Sequence, residues 1–317
     1  MSKPADQQGS RPENILVIKL SALGDFIMCF AAFAAIRAHH PQAKITLLTT
    51  KSFVTMAEKS DWFDEIIIDN KPKFFNIDGW LKLRARLRGG NFARVYDLQT
   101  NDRSSFYYQL FFPGPFPEWV GKIANSKFKV GGAVWERLHA WDMRREELRA
   151  AGISETPLPN LTWLNADISA FHVPDRFVLI CAGAAPTRPR KRWTAAGYAE
   201  VCKHLLAQNI TPVLIGADAE KEINAEIAAL APGTMDLTGK TNLSDIAALA
   251  RRAAGAVGND TGPMHLIAAA GCPALSLFSN DSQPSHSRPM GERTAFLQRD
   301  DLNNLLAVEV IKNILLR

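Results

Sequence analysis

The sequence predicts an α/β protein built from two doubly wound domains, each with a parallel sheet covered by helices. Three observations carry this. Short apolar runs alternate with stretches of helical period, as in parallel sheets buried on both faces. The alternation stops near a Pro-containing passage and then starts again. The 317 residues amount to about two domains of roughly 150 each.

In order along the chain, residues 15–20 (ILVIKL) read as a buried strand, 21–25 as a turn and 26–39 as a helix. Strands follow at 44–48, 65–68 and 94–98. The second series opens with a strand at 177–181 (FVLIC), a helix at 194–208 and a strand at 211–215. Helices are expected at 217–230 and 243–252, and strands at 254–258 and 274–278 flank a helix at 262–270. The expected organisation is a polar tail at 1–12, an N-terminal domain at 13–165 and a C-terminal domain at 175–301. The helical segment at 302–317 could pack on either domain.

Composition narrows the class. At 47% hydrophobic and 22% charged, the chain is neither disordered nor collagen-like. Its net charge of +5 suits an anionic partner, whether nucleotide, phosphorylated sugar or membrane surface. The cations gather in one loop and no nucleic-acid motif is present, so nucleic acid is not an expected partner. Cys29, Cys181, Cys202 and Cys272 lie far apart and match neither a zinc site nor a redox pair, which suggests reduced thiols in a cytoplasmic protein. The start of the chain lacks signal-peptide character, and the apolar run 26–36 is only 11 residues long.

Open parallel sheets bind ligands beyond the carboxyl ends of their strands. Three turns at such ends carry unusual chemistry. The first holds Lys19, Ser21, Gly24 and Asp25, where Asp25 could cap the following helix, serve as a general base, or do both. The second follows FVLIC: a small-residue turn, Gly183-Ala184-Ala185, leads into a loop where Arg188, Arg190, Lys191 and Arg192 could meet phosphate. Trp193 at its end reads as a packing residue. The third is AVGNDTGPMHL. Here Asp260 or Thr261 could cap the helix, and the N–H groups of Thr261, Gly262 and Met264 would form an anion site at its start. His265 reads equally as a packed helix residue or a site residue. The G-x-G-x-x-G fingerprint of a dinucleotide enzyme is absent.

Taken together and in this order, these turns resemble those of family 9 glycosyltransferases, the lipopolysaccharide heptosyltransferases. The K-x-S-x-x-G-D pattern is matched by Lys19, Ser21, Gly24 and Asp25, and D-T-G-x-x-H-L by Asp260, Thr261, Gly262, His265 and Leu266. Between them lie K-x-W at Lys191 and Trp193, and Gly216, Ala217 and Glu220 of a third match. The resemblance implies a GT-B fold, with two Rossmann-like domains facing across a cleft. It implies a donor, ADP-heptose, in the C-terminal half and a phosphorylated lipopolysaccharide-precursor acceptor in the N-terminal half.

By the same matching, Asp25 is the catalytic base, Lys191 holds the diphosphate and Glu220 binds the ribose. Asp260, Thr261, Gly262, Met264 and His265 line the rest of the donor site, and Ser21 falls on the acceptor side. Arg103, which follows the 94–98 strand, is the best candidate for acceptor contact. The turn at 183–185 lacks the hydroxyl residues common in the family, so backbone N–H groups, Arg188 or Arg190 would have to replace them. No cofactor and no metal are expected, since no D-x-D pair is present. The implied reaction is inverting heptosyl transfer in the cytoplasm, with peripheral contact to the inner membrane. A GT-B sugar-nucleotide epimerase and a non-catalytic nucleotide-sugar-binding protein are the alternatives. The aromatic, Pro-rich stretch 106–119 suits either core packing or a surface that meets a lipid-borne acceptor.

Overall fold

A computed structural model describes residues 13–317, apart from Pro159 and Pro186. The expected tail at 1–12 lies outside the described residues. The first series runs β1 (Asn14–Ile18), α1 (Leu23–Met28), α2 (Phe30–His39), β2 (Lys44–Thr49), α3 (Val54–Glu58), β3 (Glu65–Ile68), α4 (Ile77–Gly89) and β4 (Arg94–Asp97). It continues with α5 (Asp102–Tyr107), β5 (Glu118–Gly121), β6 (Phe128–Lys129) and α6 (Ala140–Ala150). The second series runs β7 (Phe177–Cys181), α7 (Ala195–Ala207), β8 (Thr211–Leu214), α8 (Lys221–Leu230), β9 (Met235–Asp236) and α9 (Leu243–Arg252). It ends with β10 (Gly255–Asn259), α10 (Gly262–Ala269), β11 (Ala274–Phe278), α11 (Pro284–Ser287), β12 (Thr294–Gln298) and α12 (Ala307–Asn313).

Each series makes one six-stranded sheet, β3-β2-β1-β4-β5-β6 and β12-β11-β10-β7-β8-β9. Every pairing is parallel. The two orders are the same once the second sheet is counted from β7. In each, the first and fourth strands of the series lie side by side, and the strand order reverses there. That reversal is the switch point at which doubly wound sheets hold ligands. The central strands are buried along their length because helices cover both faces: β1 is buried from Ile15 to Ile18, and β7, β10 and β11 are buried throughout.

Contacts divide the chain into two compact units whose borders differ from the expected ones. Of the described residues, unit 1 comprises 13–21, 32–132 and 144–157, and unit 2 comprises 22–31, 133–143 and those from 158 to 317. Residues 22–31 and 133–143, expected in the N-terminal domain, thus pack with the second sheet. The helix expected at 26–39 is broken at Cys29 into α1 and α2, close to where the chain passes from one unit to the other. The 302–317 segment belongs to unit 2: Leu302, Leu305 and Val310 are buried in its core with Val201, Leu205 and Ile210. Its helix is only α12, because residues 302–304 form a separate 3-10 turn. The core of unit 1 gathers Leu16, Ile18, Leu83, Leu87, Val95 and Trp119.

Strands β5, β6, β9 and β12 and helices α3, α4, α5, α6 and α11 were not foreseen. Most are short; β12 is a half-exposed edge strand, and α4 has a polar, Arg-rich sequence. In the 106–119 stretch, Tyr107, Leu110, Phe111 and Trp119 join the core, while Phe106, Phe112 and Phe116 stay exposed. The four cysteines are buried, and none of them is in a disulfide. Burial pushes the Cys202 thiol up to about 12 and that of Cys272 to about 11.

Candidate active site

At the switch point of unit 2, the carboxyl ends of β7 and β10 lie next to each other. The loop after β7 crosses to the turn after β10, where Lys191 Nζ donates to Asp260 Oδ2 at 2.5 Å. Their side chains are 13% and 7% exposed, so the pair is largely shielded from solvent. Neither Asp260 nor Thr261 caps α10, contrary to the sequence expectation: Thr261 is the N-cap residue and makes no side-chain cap bond. The Asp260 carboxylate is committed to Lys191 instead. Pro263 sits in the first turn of α10, where its missing N–H costs nothing.

The anion site proposed at this helix start is smaller than expected. The N–H of Met264 donates to Thr261 O at 3.1 Å, and its side chain is fully buried. Met264 therefore shapes the turn from inside. The first-turn amides of Thr261 and Gly262 have no partner within the helix by its geometry, and they carry its positive end.

Asp25 lies in the same unit, on α1, with an exposed carboxylate. Its Oδ2 accepts the Ala22 N–H at 3.1 Å, so the carboxylate closes the start of α1 and still faces solvent. Helix α1 packs on α10. The approach is so close that a Cβ on Gly24 would stand 2.8 Å from His265 Cδ2, and only glycine fits there. His265 is 5% exposed, and its Nε2 is 4.0 Å from Asp260 Oδ1. Burial lowers its pKa to about 4, against the pull of the Asp260 and Asp25 carboxylates. At neutral pH the ring is uncharged, with its buried Nδ1 lacking a hydrogen-bond partner among the described residues. Asp25, His265, Asp260 and Lys191 thus form one chain of neighbours within unit 2.

Glu220 also reaches this end of the sheet. Its Oε2 accepts the Ala217 N–H at 2.8 Å, and its stem crosses the turn after β7, where a Cβ on Gly183 would stand 2.5 Å from Glu220 Cγ. The basic loop is anchored by more than Lys191. Arg188 donates to Asp281 O at 3.0 Å, Arg190 Nε lies 3.8 Å from Asp281 Oδ1, and Arg192 donates to Ala184 O at 3.0 Å. Trp193 packs, as read from the sequence: it is 1% exposed and its Nε1 donates to Leu305 O.

Sequence reasoning missed the residue that ties these turns together. Asn259, fully buried at the end of β10, accepts from Trp193 N and Tyr198 Oη and donates to Ala182 O and Gly183 O. The available signal was an amide side chain closing an otherwise apolar strand just before Asp260.

The other two expected site residues belong to unit 1, at its own switch point. Gln99 Oε1 accepts the N–H groups of Leu20 and Ser21 at 2.9 and 3.2 Å, and Lys71 Nζ donates to Ser21 Oγ at 3.3 Å. Arg103 is half-buried, donates to Pro72 O at 3.1 Å and stands 5.4 Å over the Trp80 ring. Lys19 is a buried residue that donates to Leu98 O. Behind it, Asp97 and Glu147 are fully buried beside Arg144, whose Nη1 is 3.0 Å from Glu147 Oε2. Desolvation raises Asp97 to about 6 and Glu147 to about 8, against the pull of Arg144.

The fold defines the class: two six-stranded parallel sheets with flanking helices, as in GT-B heptosyltransferase structures. A glycosyltransferase family 9 protein from Veillonella parvula superposes with a TM-score of 0.80 at 21% identity, over 95% of each chain. The Escherichia coli ADP-heptose lipopolysaccharide heptosyltransferase II superposes at 0.74 and 23%, over 94% of this chain and 96% of that one. In sequence, the lipopolysaccharide core heptosyltransferase OpsX of Haemophilus influenzae is 23% identical over 291 residues, covering 84% of this chain and 79% of its own. The model of glycosyltransferase family 9 (heptosyltransferase) matches residues 138–309, more than half of the sequence. The chain belongs to that family and is a glycosyltransferase.

Proposed function

We propose that this protein transfers heptose, with inversion, from ADP-heptose to a phosphorylated lipopolysaccharide-precursor acceptor. The relatives' own donor and acceptor support the substrates. One observation carries the chemistry: the exposed Asp25 carboxylate sits beside neutral His265, which in turn neighbours the Lys191–Asp260 pair at the carboxyl ends of β7 and β10.

The acceptor hydroxyl oxygen attacks the anomeric carbon while Asp25 takes its proton, and the bond from that carbon to the ADP oxygen breaks. A placed base is typically worth about 10²–10⁴-fold. ADP gathers negative charge as it leaves. Lys191, with N–H donors to spare beyond Asp260, and the first-turn amides of α10 stabilise that charge. Thr261 and Gly262 contribute backbone, and Asp260 holds Lys191 in place. Glu220 accepts from the donor ribose hydroxyls. Neutral His265 and buried Met264 shape the floor without taking part in proton transfer. Ser21 and Arg103 are the acceptor contacts, with Lys71 adding charge for its phosphate.

The reaction is proposed to need no divalent metal, since the cations at 188–192 supply the charge a metal would bring. Full activity after exhaustive chelation is expected; loss that magnesium restores would refute this part. The protein is proposed to work in the cytoplasm, in peripheral contact with the inner membrane that carries its acceptor. Among the described residues, no helix is long and apolar enough to cross a membrane.

The deciding experiment is Asp25→Asn. We expect kcat to fall by about 10²–10⁴ while the Kd for ADP stays within about twofold. Lost ADP binding with retained turnover would overturn the assignment. ADP release without any acceptor would point to an epimerase-like or hydrolytic reaction instead.

A further inference from the structure

The most exposed apolar surface in unit 1 adjoins Arg103, the proposed acceptor contact. Phe74 and Phe75 are 84% and 89% exposed, with ring centroids 5.3 Å apart. Ile77 and Leu81 of α4 are also exposed, at 72% and 58%, as are Phe106 at 49% and Phe112 at 66%. These are not scattered residues. Phe74, Trp80, Phe106 and Leu110 line one concavity of about 480 Å³ together with Asp102 and Arg103, and Arg84 donates to Phe112 O, which ties that residue to α4. A contiguous apolar patch of this kind on a soluble fold marks an interaction site.

Its charge identifies the partner. Between residues 71 and 88 stand six cations (Lys71, Lys73, Lys82, Arg84, Arg86 and Arg88) and one carboxylate, Asp78. Exposed aromatic rings rimmed by Lys and Arg fit the boundary of an anionic bilayer, where the rings enter the headgroup region and the cations meet lipid phosphates. A second copy of the chain would bring the same positive rim against itself, so charge complementarity favours lipid.

We propose that the 74–81 segment, together with Phe106 and Phe112, is a docking surface for an anionic lipid bilayer. It deepens the reading of a lipid-borne acceptor and rests on it for its purpose, because docking would hold the enzyme where its acceptor lies.

The test is cosedimentation with vesicles, with no sugar substrate present. One set is phosphatidylcholine alone and the other includes phosphatidylglycerol. The wild-type protein is expected to bind the anionic vesicles and to lose binding as salt rises. The double variant Phe74→Ser/Phe75→Ser should weaken binding at least about tenfold, and Lys73→Glu/Lys82→Glu should abolish the preference for phosphatidylglycerol. Both variants should keep the wild-type ADP-induced thermal shift, which shows that they are folded and that the donor reading stands or falls separately. Equal vesicle binding by wild type and the Phe variant, or none by wild type, would overturn the proposal. So would a dimer in sedimentation that the Phe variant dissolves.

Discussion

At the end of β10, the Asn259 side chain uses both ends of its amide inside the protein. Its removal would strand the Tyr198 hydroxyl, the Trp193 amide and the carbonyls of Ala182 and Gly183. A buried polar group left unpaired costs about 1–3 kcal/mol, so Asn259→Ala should destabilise the protein by about 3 kcal/mol or more in denaturant unfolding. A loss under 1 kcal/mol would mean that water replaces the amide. Lys191 poses a different question, because it is both half of a shielded pair and a proposed phosphate ligand. Lys191→Met leaves Asp260 unpaired and should cost about 3 kcal/mol or more. Adding Asp260→Asn should recover most of that stability, while ADP affinity stays at least about tenfold weaker than in the wild type. If ADP affinity recovers together with stability, Lys191 acts only through the fold.

The elements bring these residues together by close packing. Helix α1 can lie on α10 because Gly24 presents no side chain to His265. The ring is enclosed and cannot swing aside, so Gly24→Ala must push α1 away and carry Asp25 with it. A displacement of this order costs a well-aligned reaction heavily. We expect kcat to fall at least about tenfold, with far-ultraviolet circular dichroism unchanged and the ADP Kd within about threefold. Unchanged kcat would show that Asp25 does not depend on this contact. At the turn after β7, Gly183 plays the same part for Glu220, so its small size is needed for close approach whether or not the turn also carries hydroxyls.

At the scale of the whole molecule, the chain repeats one sheet order, and each copy places unusual polar chemistry at its switch point. In unit 1 that chemistry is buried and titratable. The folded pKa of Glu147, about 8, lies above its ordinary value of 4.5, and that of Asp97, about 6, lies above 3.8. In both cases the folded state binds more protons than the unfolded state as pH rises between the two values, so stability is lost with rising pH. His40 and His265, both lowered to about 4 from 6.5, act in the opposite direction below pH 6.5, where the unfolded state binds more protons. Between pH 6.5 and 8 only the Glu147 effect remains among these groups. Unfolding free energy should fall there by up to about 1.4 kcal/mol per pH unit, and Glu147→Gln should flatten the slope. A flat wild-type profile in that window would show that Glu147 is ionised beside Arg144.

The doubly wound class, most central strands and the chemically unusual turns are legible in the sequence, because parallel strands buried on both faces leave continuous apolar runs. The strands at 65–68, 177–181 and 274–278 emerge with the bounds read from the sequence. The basic loop, Asp25 and the 260–265 turn were legible because charge or glycine at the end of such a strand is locally anomalous. The packing of distant segments fixed the rest. It placed Asp25 in the same compact unit as Lys191 and Asp260, paired Asp260 with Lys191 and not with a helix end, and engaged the Met264 amide inside its own turn. It also made Asn259 a hub and left Phe74 and Phe75 in solvent. These outcomes depend on which distant segments pack together, and no local pattern of polarity or period encodes that.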